Sequence, residues 1–343
     1  MGFLIMTHEL GHFLSAKLFH IEVEEFGFGY PPRLAKLFTW KDTLFSINWI
    51  PFGGFVRFKG ENNSQGIDSL SAAPKWSRFG TLIGGPLTSL LIGVLLFAFV
   101  FSKMGNPRFD QVMISDIADN SPAAVAGIQS GDLIKTIAGT QIKALEEISR
   151  VIQMHLDESV TMEVQRANQT LIFQVIPRST PPAGEGALGI TMTNPVEPVN
   201  FLQAIPQGAQ AVLMQGKQLL SLPIMLLNGS AQLSEVRLLS PKGIYDVYEQ
   251  VKSSESSQSS QVAQLINVIW FFAVLSSALG FTNLLPIPGL DGGYLFFLLP
   301  ELIINKRVPP KFVNVVHFAG FVFLVGIMIL IFIQDFINPV VLP

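Results

Sequence analysis

The sequence predicts a polytopic α-helical membrane protein of about four transmembrane helices, with an inserted α+β domain and a membrane-associated β-hairpin. Three observations carry this reading. Of the 343 residues, 49% are hydrophobic and only 14% are charged, and the mean hydropathy is +0.45, which does not describe an ordinary soluble enzyme. Apolar runs at 1–19, 82–101, 266–285 and 315–333 approach or reach the ~20 residues that a helix needs to cross a bilayer. Between the second and third runs lies a polar stretch with short β-like segments, long enough for one small soluble domain.

The first helix, over residues 1–20, carries His8-Glu9-Leu10-Gly11-His12 within its apolar run. Residues four apart share a helix face, so His8 and His12 can present two imidazoles to one Zn²⁺, while Glu9 on the adjoining face can hold a water as general base. Only seven residues precede His8, so this span reads as short at its N-terminal end, and a further apolar turn upstream is expected. The same pattern arises by chance on soluble helices, where the histidines are surface groups or satisfied core groups. At membrane depth, however, three polar side chains without a purpose would cost several kcal/mol.

Residues 21–78 form a connection whose Phe- and Trp-rich part, 43–59, reads as a β-hairpin centred on Pro51-Phe52-Gly53-Gly54; a hairpin packed outside the bilayer is the alternative. The second helix is expected over 79–102. In the insertion, 109–194, the runs 161–164 and 171–175 read as strands and 145–155 as a helix; Gly127 and Gly131 suit turns with positive φ, and Asp132 leads into a strand. Residues 195–264 hold an interfacial amphipathic helix within 201–227, interrupted by Pro223, and a Ser-rich flexible linker at 253–260.

The third helix, 265–299, contains the second polar cluster, Asn283-Leu284-Leu285-Pro286-Ile287-Pro288-Gly289-Leu290-Asp291-Gly292-Gly293, and the fourth covers 314–337. Asp291 has no obvious partner nearby in sequence. A tetrahedral catalytic zinc takes three protein ligands and an open position, and Asp291 can be the third. The absence of cysteine leaves His and carboxylate as the donors available.

Arg33, Lys36, Lys41, Arg57, Lys59, Lys75 and Arg78 in the first connection, and Lys306, Arg307 and Lys311 in the last, place both on the cytoplasmic side by the positive-inside rule, with the insertion opposite. A net charge of −3 without a long basic block gives no support for a nucleic-acid partner.

Together, HELGH and NLLPIPGLDGG resemble the site-2 protease family of intramembrane zinc metalloproteases, peptidase family M50, in its bacterial PDZ-containing subgroup. The resemblance implies Zn²⁺ held by His8, His12 and Asp291, with Glu9 as catalytic base and Asn283 near the substrate. It implies a hairpin dipping into the membrane, whose edge at Gly54 and Phe55 pairs with an unwound substrate, since a helical peptide bond is shielded by its own turn. Residues 120–134 resemble a PDZ domain of the permuted bacterial type, and 186–191 its groove strand and carboxylate loop, so Gly189 and Ile190 are expected to take a peptide C-terminus; a size filter that excludes bulky substrates is the alternative. Gly85-Pro86-Leu87-Thr88-Ser89 resembles the family's second-span motif, but Ser89 stands where Asn is expected and is assigned no chemistry. The implied function is an endopeptidase that cuts single-span membrane proteins within the lipid bilayer of the bacterial plasma membrane. Its usual role is the second cut in regulated intramembrane proteolysis, of anti-sigma-factor-like or signal-peptide-remnant substrates. A non-catalytic membrane PDZ scaffold with a vestigial zinc site is the rival, opposed by the complete HExxH and Asp291 set.

Overall fold

A computed structural model describes residues 2–59, 69–108, 110–182, 184–228, 239–253 and 261–340. In chain order the elements are α1 (Gly2–Leu18), β1 (Val23–Trp40), β2 (Thr43–Phe58), α2 (Ser69–Ala72), α3 (Lys75–Met104), β3 (Asn106–Pro107), β4 (Val112–Ile117), α4 (Pro122–Ala126), β5 (Leu133–Ile137), β6 (Thr140–Gln141), α5 (Leu145–Gln153), β7 (Val160–Arg166), β8 (Gln169–Val175), β9 (Ile190–Thr193), β10 (Val196–Glu197), α6 (Phe201–Leu227), α7 (Pro241–Ser253), α8 (Gln261–Leu284), α9 (Asp291–Ile304) and α10 (Pro310–Ile337). They form two compact units, Met1–Val100 with Phe201–Pro343, and Phe101–Asn200.

In the first unit, three helices among the described residues are long and apolar enough to cross a membrane: Lys75–Met104, Val262–Leu284 and Pro310–Ile337. α3 is the inner one, with 44% of its most apolar window buried, against 6% for α10, which leaves its surface to lipid. α1 has 17 residues, about 25 Å of helix, short of a ~30 Å hydrocarbon core. Its approach to α3 depends on small residues, because a Cβ on Gly11 would stand 2.3 Å from the Gly84 carbonyl oxygen.

The continuous third span expected over 265–299 is broken. α8 ends at Leu284 and α9 starts at Asp291. Pro286 and Pro288 each lack an N–H and disfavour helical backbone at the residue before, and Gly289 turns with φ +98°, so the helix cannot continue through this stretch. The interfacial reading of 201–227 also changes. α6 is one helix packed on two spans: a Cβ on Gly208 would meet the Val94 oxygen at 2.5 Å, one on Gly216 would meet the Phe281 ring at 2.3 Å, and Gln215 Nε2 donates to the Val274 oxygen at 3.0 Å. α7, which the sequence pattern did not reveal, is anchored where the Asp335 Oδ2 accepts from Ser240 N (2.9 Å) and Oγ (2.6 Å). Residues 254–260 of the expected Ser-rich linker lie outside the described residues.

The hairpin is larger than 43–59 and turns at Lys41-Asp42, not at the Pro51–Gly54 centre. Pro51-Phe52-Gly53-Gly54 lies inside β2, where the chain bends so that Glu25 through Phe28 pair with Leu44 through Ile47 and also with Gly54 through Arg57. The two strands thereby wrap into a small sheet around buried Phe26, which packs with Phe13 of α1 and Phe45. Glu25 pins it. Its carboxylate accepts from Arg33 Nε (2.8 Å) and Ser46 Oγ (2.6 Å), and also pairs with Arg57. Burial pushes the Glu25 carboxyl up, but the Arg33 and Ser46 hydrogen bonds and the Arg57 charge outweigh it and hold it below its ordinary value. This stabilisation is present above the ordinary carboxylate range and is lost as pH falls through the lowered value.

Glu25→Ala is expected to destabilise the sheet by about 2 kcal/mol, below the roughly 3–5 kcal/mol of a fully buried pair because Arg33 keeps water contact. Limited proteolysis within 23–58 should speed up correspondingly, by about 30-fold. An unchanged rate would mean that the aromatic packing alone holds the sheet.

The second unit is an α+β domain whose sheet runs in the order β8-β7-β5-β4-β9, with β6 on β5. Ile148, Val151 and Ile152 of α5 close the core over Val112, Ile134, Ile137, Met162 and Val164. α4 is capped by Ser121 Oγ at its start and by Gly127, φ +85°, at its end. Asp132, fully buried, accepts from Arg166 Nε at 2.7 Å and from Gln129 N at 2.9 Å, which fixes the entry into β5.

Candidate metal centre

α1 buries Leu4, His8, Gly11 and His12 on one face, the spacing of a helical stripe turned inward. Asp291 begins α9, where the helix dipole favours a carboxylate, and the broken span puts it opposite that stripe. Its Oδ2 lies 3.0 Å from His8 Nε2 and 3.1 Å from His12 Nε2, and the two nitrogens are 3.3 Å apart. Ligand atoms around a tetrahedral zinc with bonds of ~2.0–2.1 Å stand about 3.3 Å from one another, so this triangle has the size of three coordination positions.

The outer contacts of the two rings fit the same reading. His12 Nδ1 donates to the Thr81 carbonyl oxygen at 2.8 Å, and His8 Nδ1 faces Ser89 Oγ at 3.0 Å. In the tautomer with the proton on Nδ1, both rings would turn an Nε2 lone pair toward the carboxylate oxygen. In that tautomer the three converging atoms are all acceptors, and the donor set of two imidazoles and a carboxylate suits Zn²⁺.

Glu9 lies beside this triangle. It lines, together with His12 and Asp291, a cavity of about 460 Å³ whose walls also include Val56 and Phe58 of β2, Thr81, Tyr294, Phe297, Arg78, Glu301 and Arg307. The volume is within the range of ligand sites, ~300–1,000 Å³. Arg78 pairs with Glu301, and Lys75 Nζ donates to the Glu301 backbone oxygen at 3.2 Å, so the start of α3 is tied to the end of α9 beside the cavity.

The other predicted residues are dispersed. Asn283 Nδ2 donates to the Leu279 oxygen at 3.0 Å, one turn back on its own helix, and Asn283 is not among the residues lining the cavity. Gly54 is buried, with Met6 of α1 against it, and Phe55 pairs with Gly27, both just before the cavity-lining Val56. Gly189, φ +69°, and Ile190 open β9 in the second unit and belong to no part of the metal centre.

Ser89 and Thr81 contact the two histidines, and residue type alone did not single them out. They sit eight residues apart, two turns of α3, and hold His8 and His12 from the same face. Ser276 Oγ donates to the Ser89 oxygen at 2.8 Å and fixes that turn in place. Between them, a Cβ on Gly85 would stand 2.2 Å from His12 Nε2, so only glycine leaves room for the imidazole. The signal was the GPLTS motif, which lacks the expected Asn but keeps a hydrogen-bonding side chain. Ser89→Ala is expected to weaken zinc binding about 10–100-fold while the protein stays folded. Chelator competition measures this, and wild-type affinity would remove Ser89 from the site.

The model of peptidase family M50 matches residues 1–327. A protein of Clostridium perfringens that carries the name zinc metalloprotease is 32% identical over 340 residues, 98% of this chain and 96% of its own. A relative of the same name from Clostridium acetobutylicum is 30% identical, over 99% of this chain and 96% of its own. The regulator of sigma-W protease RasP of Bacillus subtilis is 26% identical, over 97% of this chain and 96% of its own. Among solved structures, the PDZ domain of an SdrC-like protein from Listeria monocytogenes aligns with 24% of this chain and 87% of its own at 24% identity and a TM-score of 0.22. With the family pattern running from the first helix into α10, the chain belongs to peptidase family M50, the site-2 protease family that its two motifs resemble.

Proposed function

We propose that this zinc metalloendopeptidase cuts the transmembrane segment of a single-span membrane protein, with His8, His12 and Asp291 as the zinc ligands and Glu9 as the catalytic base. The observation that carries the reading is the triangle of His8, His12 and Asp291 ligand atoms, which opens with Glu9 on one cavity between apolar helices. A zinc ion held by His8, His12 and Asp291 would supply Lewis-acid chemistry, polarising the scissile carbonyl and acidifying water. Glu9 takes the proton from the attacking water and passes it to the leaving amine. Thr81 and Ser89 hold the imidazoles in the tautomer that leaves Nε2 free. Residues 54–58 have strand partners on one side only in the hairpin register, and Val56 and Phe58 border the cavity, which supports an extended substrate pairing along Gly54 and Phe55.

The basic residues of 21–78 and 305–311 support a cytoplasmic position for both connections and an extracytoplasmic one for the inserted domain, in a bacterial plasma membrane. β9 pairs with β4 alone among the described strands, which supports capture of a peptide C-terminus by strand addition next to Gly189 and Ile190. The role is the second cut of regulated intramembrane proteolysis, in keeping with the name of the Bacillus subtilis relative.

The test is the position of the cut. Protein reconstituted with a single-span substrate should yield products whose masses place the cleavage inside the apolar segment, and a chelator should stop the reaction until zinc is restored. Cleavage confined to the soluble flanks would overturn the intramembrane reading.

A further inference from the structure

α10 is the most lipid-exposed of the spans, yet two of its 28 residues are buried, and both are polar: His317 and Asp335. Ionisable residues buried at membrane depth rarely persist without a task. Asp335 has one in the fold, since it anchors the start of α7. His317 is 3% exposed and touches the loop that carries the third zinc ligand.

The contact is specific. His317 Nδ1 accepts the backbone N–H of Gly289 at 3.1 Å, two residues before Asp291. This N–H lies in the non-helical stretch between α8 and α9, where helix hydrogen bonding is not available to it and where an unpaired donor in hydrocarbon costs several kcal/mol. The rest of the loop rests on the same face of α10: a Cβ on Gly289 would meet Phe321 N at 3.0 Å, and one on Gly320 would meet the Pro288 oxygen at 2.3 Å. Residues 317, 320 and 321 are neighbours at helical spacing. The ring is clamped as well, stacked on Tyr294 with centroids 3.4 Å apart and with the Phe297 ring edge-on at 5.9 Å.

With Nδ1 as the acceptor, the ring proton resides on Nε2, which is buried and makes no regular hydrogen bond among the described residues, with the Gly293 backbone close to the ring. A buried donor without a regular hydrogen bond is unfavourable, so the ring is not there for its own stability. The bond it makes to Gly289 is the reason for its position.

We propose that His317 is a positioning residue of the metal centre: from α10 it fixes the Gly289 turn and thereby holds Asp291 in register with His8 and His12. The proposal rests on the assignment of these three residues as zinc ligands. His317 is not among the residues lining the cavity and acts through the loop backbone. α10 thus becomes part of the site although it contributes no ligand.

The experiment compares His317→Phe, which keeps the ring shape but loses the acceptor, with His317→Asn, whose Oδ1 occupies the Nδ1 position, in full-length protein purified in detergent. Zinc affinity is read by chelator competition, and the ligand field by the visible spectrum of the Co²⁺-substituted protein. His317→Phe is expected to bind zinc about 10–100-fold more weakly, with an altered Co²⁺ spectrum, and His317→Asn to restore both close to wild type. A merely structural role would lower thermal stability without moving the spectrum. Wild-type affinity and spectrum in His317→Phe, or equal losses in Phe and Asn, would overturn the proposal. Should His317→Phe fail to insert, His317→Gln takes its place: its oxygen reaches past the Nδ1 position, so it should bind zinc less tightly than His317→Asn, and equal affinities would overturn the proposal. Asp291→Ala is the control. If that variant retains zinc, the ligand assignment fails; if it loses zinc while His317→Phe does not, only the role of His317 fails.

Discussion

Asp291→Ala, His8→Ala and His12→Ala are each expected to lose zinc, by more than the about 10–100-fold that follows removal of an outer-shell partner. The reason is geometric. The three ligand atoms lie within 4.8 Å of one another, and two of them cannot close a tetrahedral site that needs three protein donors. Metal analysis of the purified variants reads the result directly. For Asp291→Ala there is a second consequence, because removing the carboxylate leaves two imidazole lone pairs 3.3 Å apart with nothing between them. Retention of one zinc per chain in this variant would take Asp291 out of the centre and leave the broken third span without its purpose.

Glu9→Gln is expected to separate binding from chemistry. The amide preserves the volume of the side chain and the triangle beside it, so zinc content should match wild type. The variant has no group to take up a proton, however, and cleavage of a single-span substrate should slow by about 10²–10⁴-fold, the usual contribution of a general base. The loss should appear in kcat with KM little changed, because the residue acts on the reaction and not on the bound helix. Cleavage at the wild-type rate would exclude Glu9 as the base, whatever the metal content.

Much of the site was legible in local sequence. HELGH places two imidazoles and a carboxylate by helical spacing alone, and α1 buries His8 and His12 as that spacing requires. The apolar runs marked α3, α8 and α10, because a bilayer imposes length and composition on any helix that crosses it. The strands β7 and β8 contain the runs expected from period and turn residues, and α5 covers 145–153 of the expected 145–155. The hairpin was read too short, since its turn at Lys41-Asp42 carries no Gly or Pro signal, whereas Pro51–Gly54, which does, bends a strand from within. Apolar composition throughout 265–299 predicts one continuous span, whereas Pro286, Pro288 and the left-handed Gly289 break it into α8 and α9.

By itself, the sequence determined the kinds of chemistry available and the segments that must lie in the membrane: two histidines a helical turn apart, an acid in an apolar loop, no thiol, and runs of span length. These are properties of neighbours along the chain, and helical period and hydrocarbon thickness act on neighbours. Only the tertiary structure decided which groups meet. His8 and Asp291 are 283 positions apart, Ser89 holds His8 across 81, and His317 reaches Gly289 from another helix across 28. No periodicity encodes such pairs. They follow from the glycines that let α1 and α3 approach, from the prolines that break α8 from α9, and from the rule that every polar group buried away from water must find its partner wherever the fold provides one.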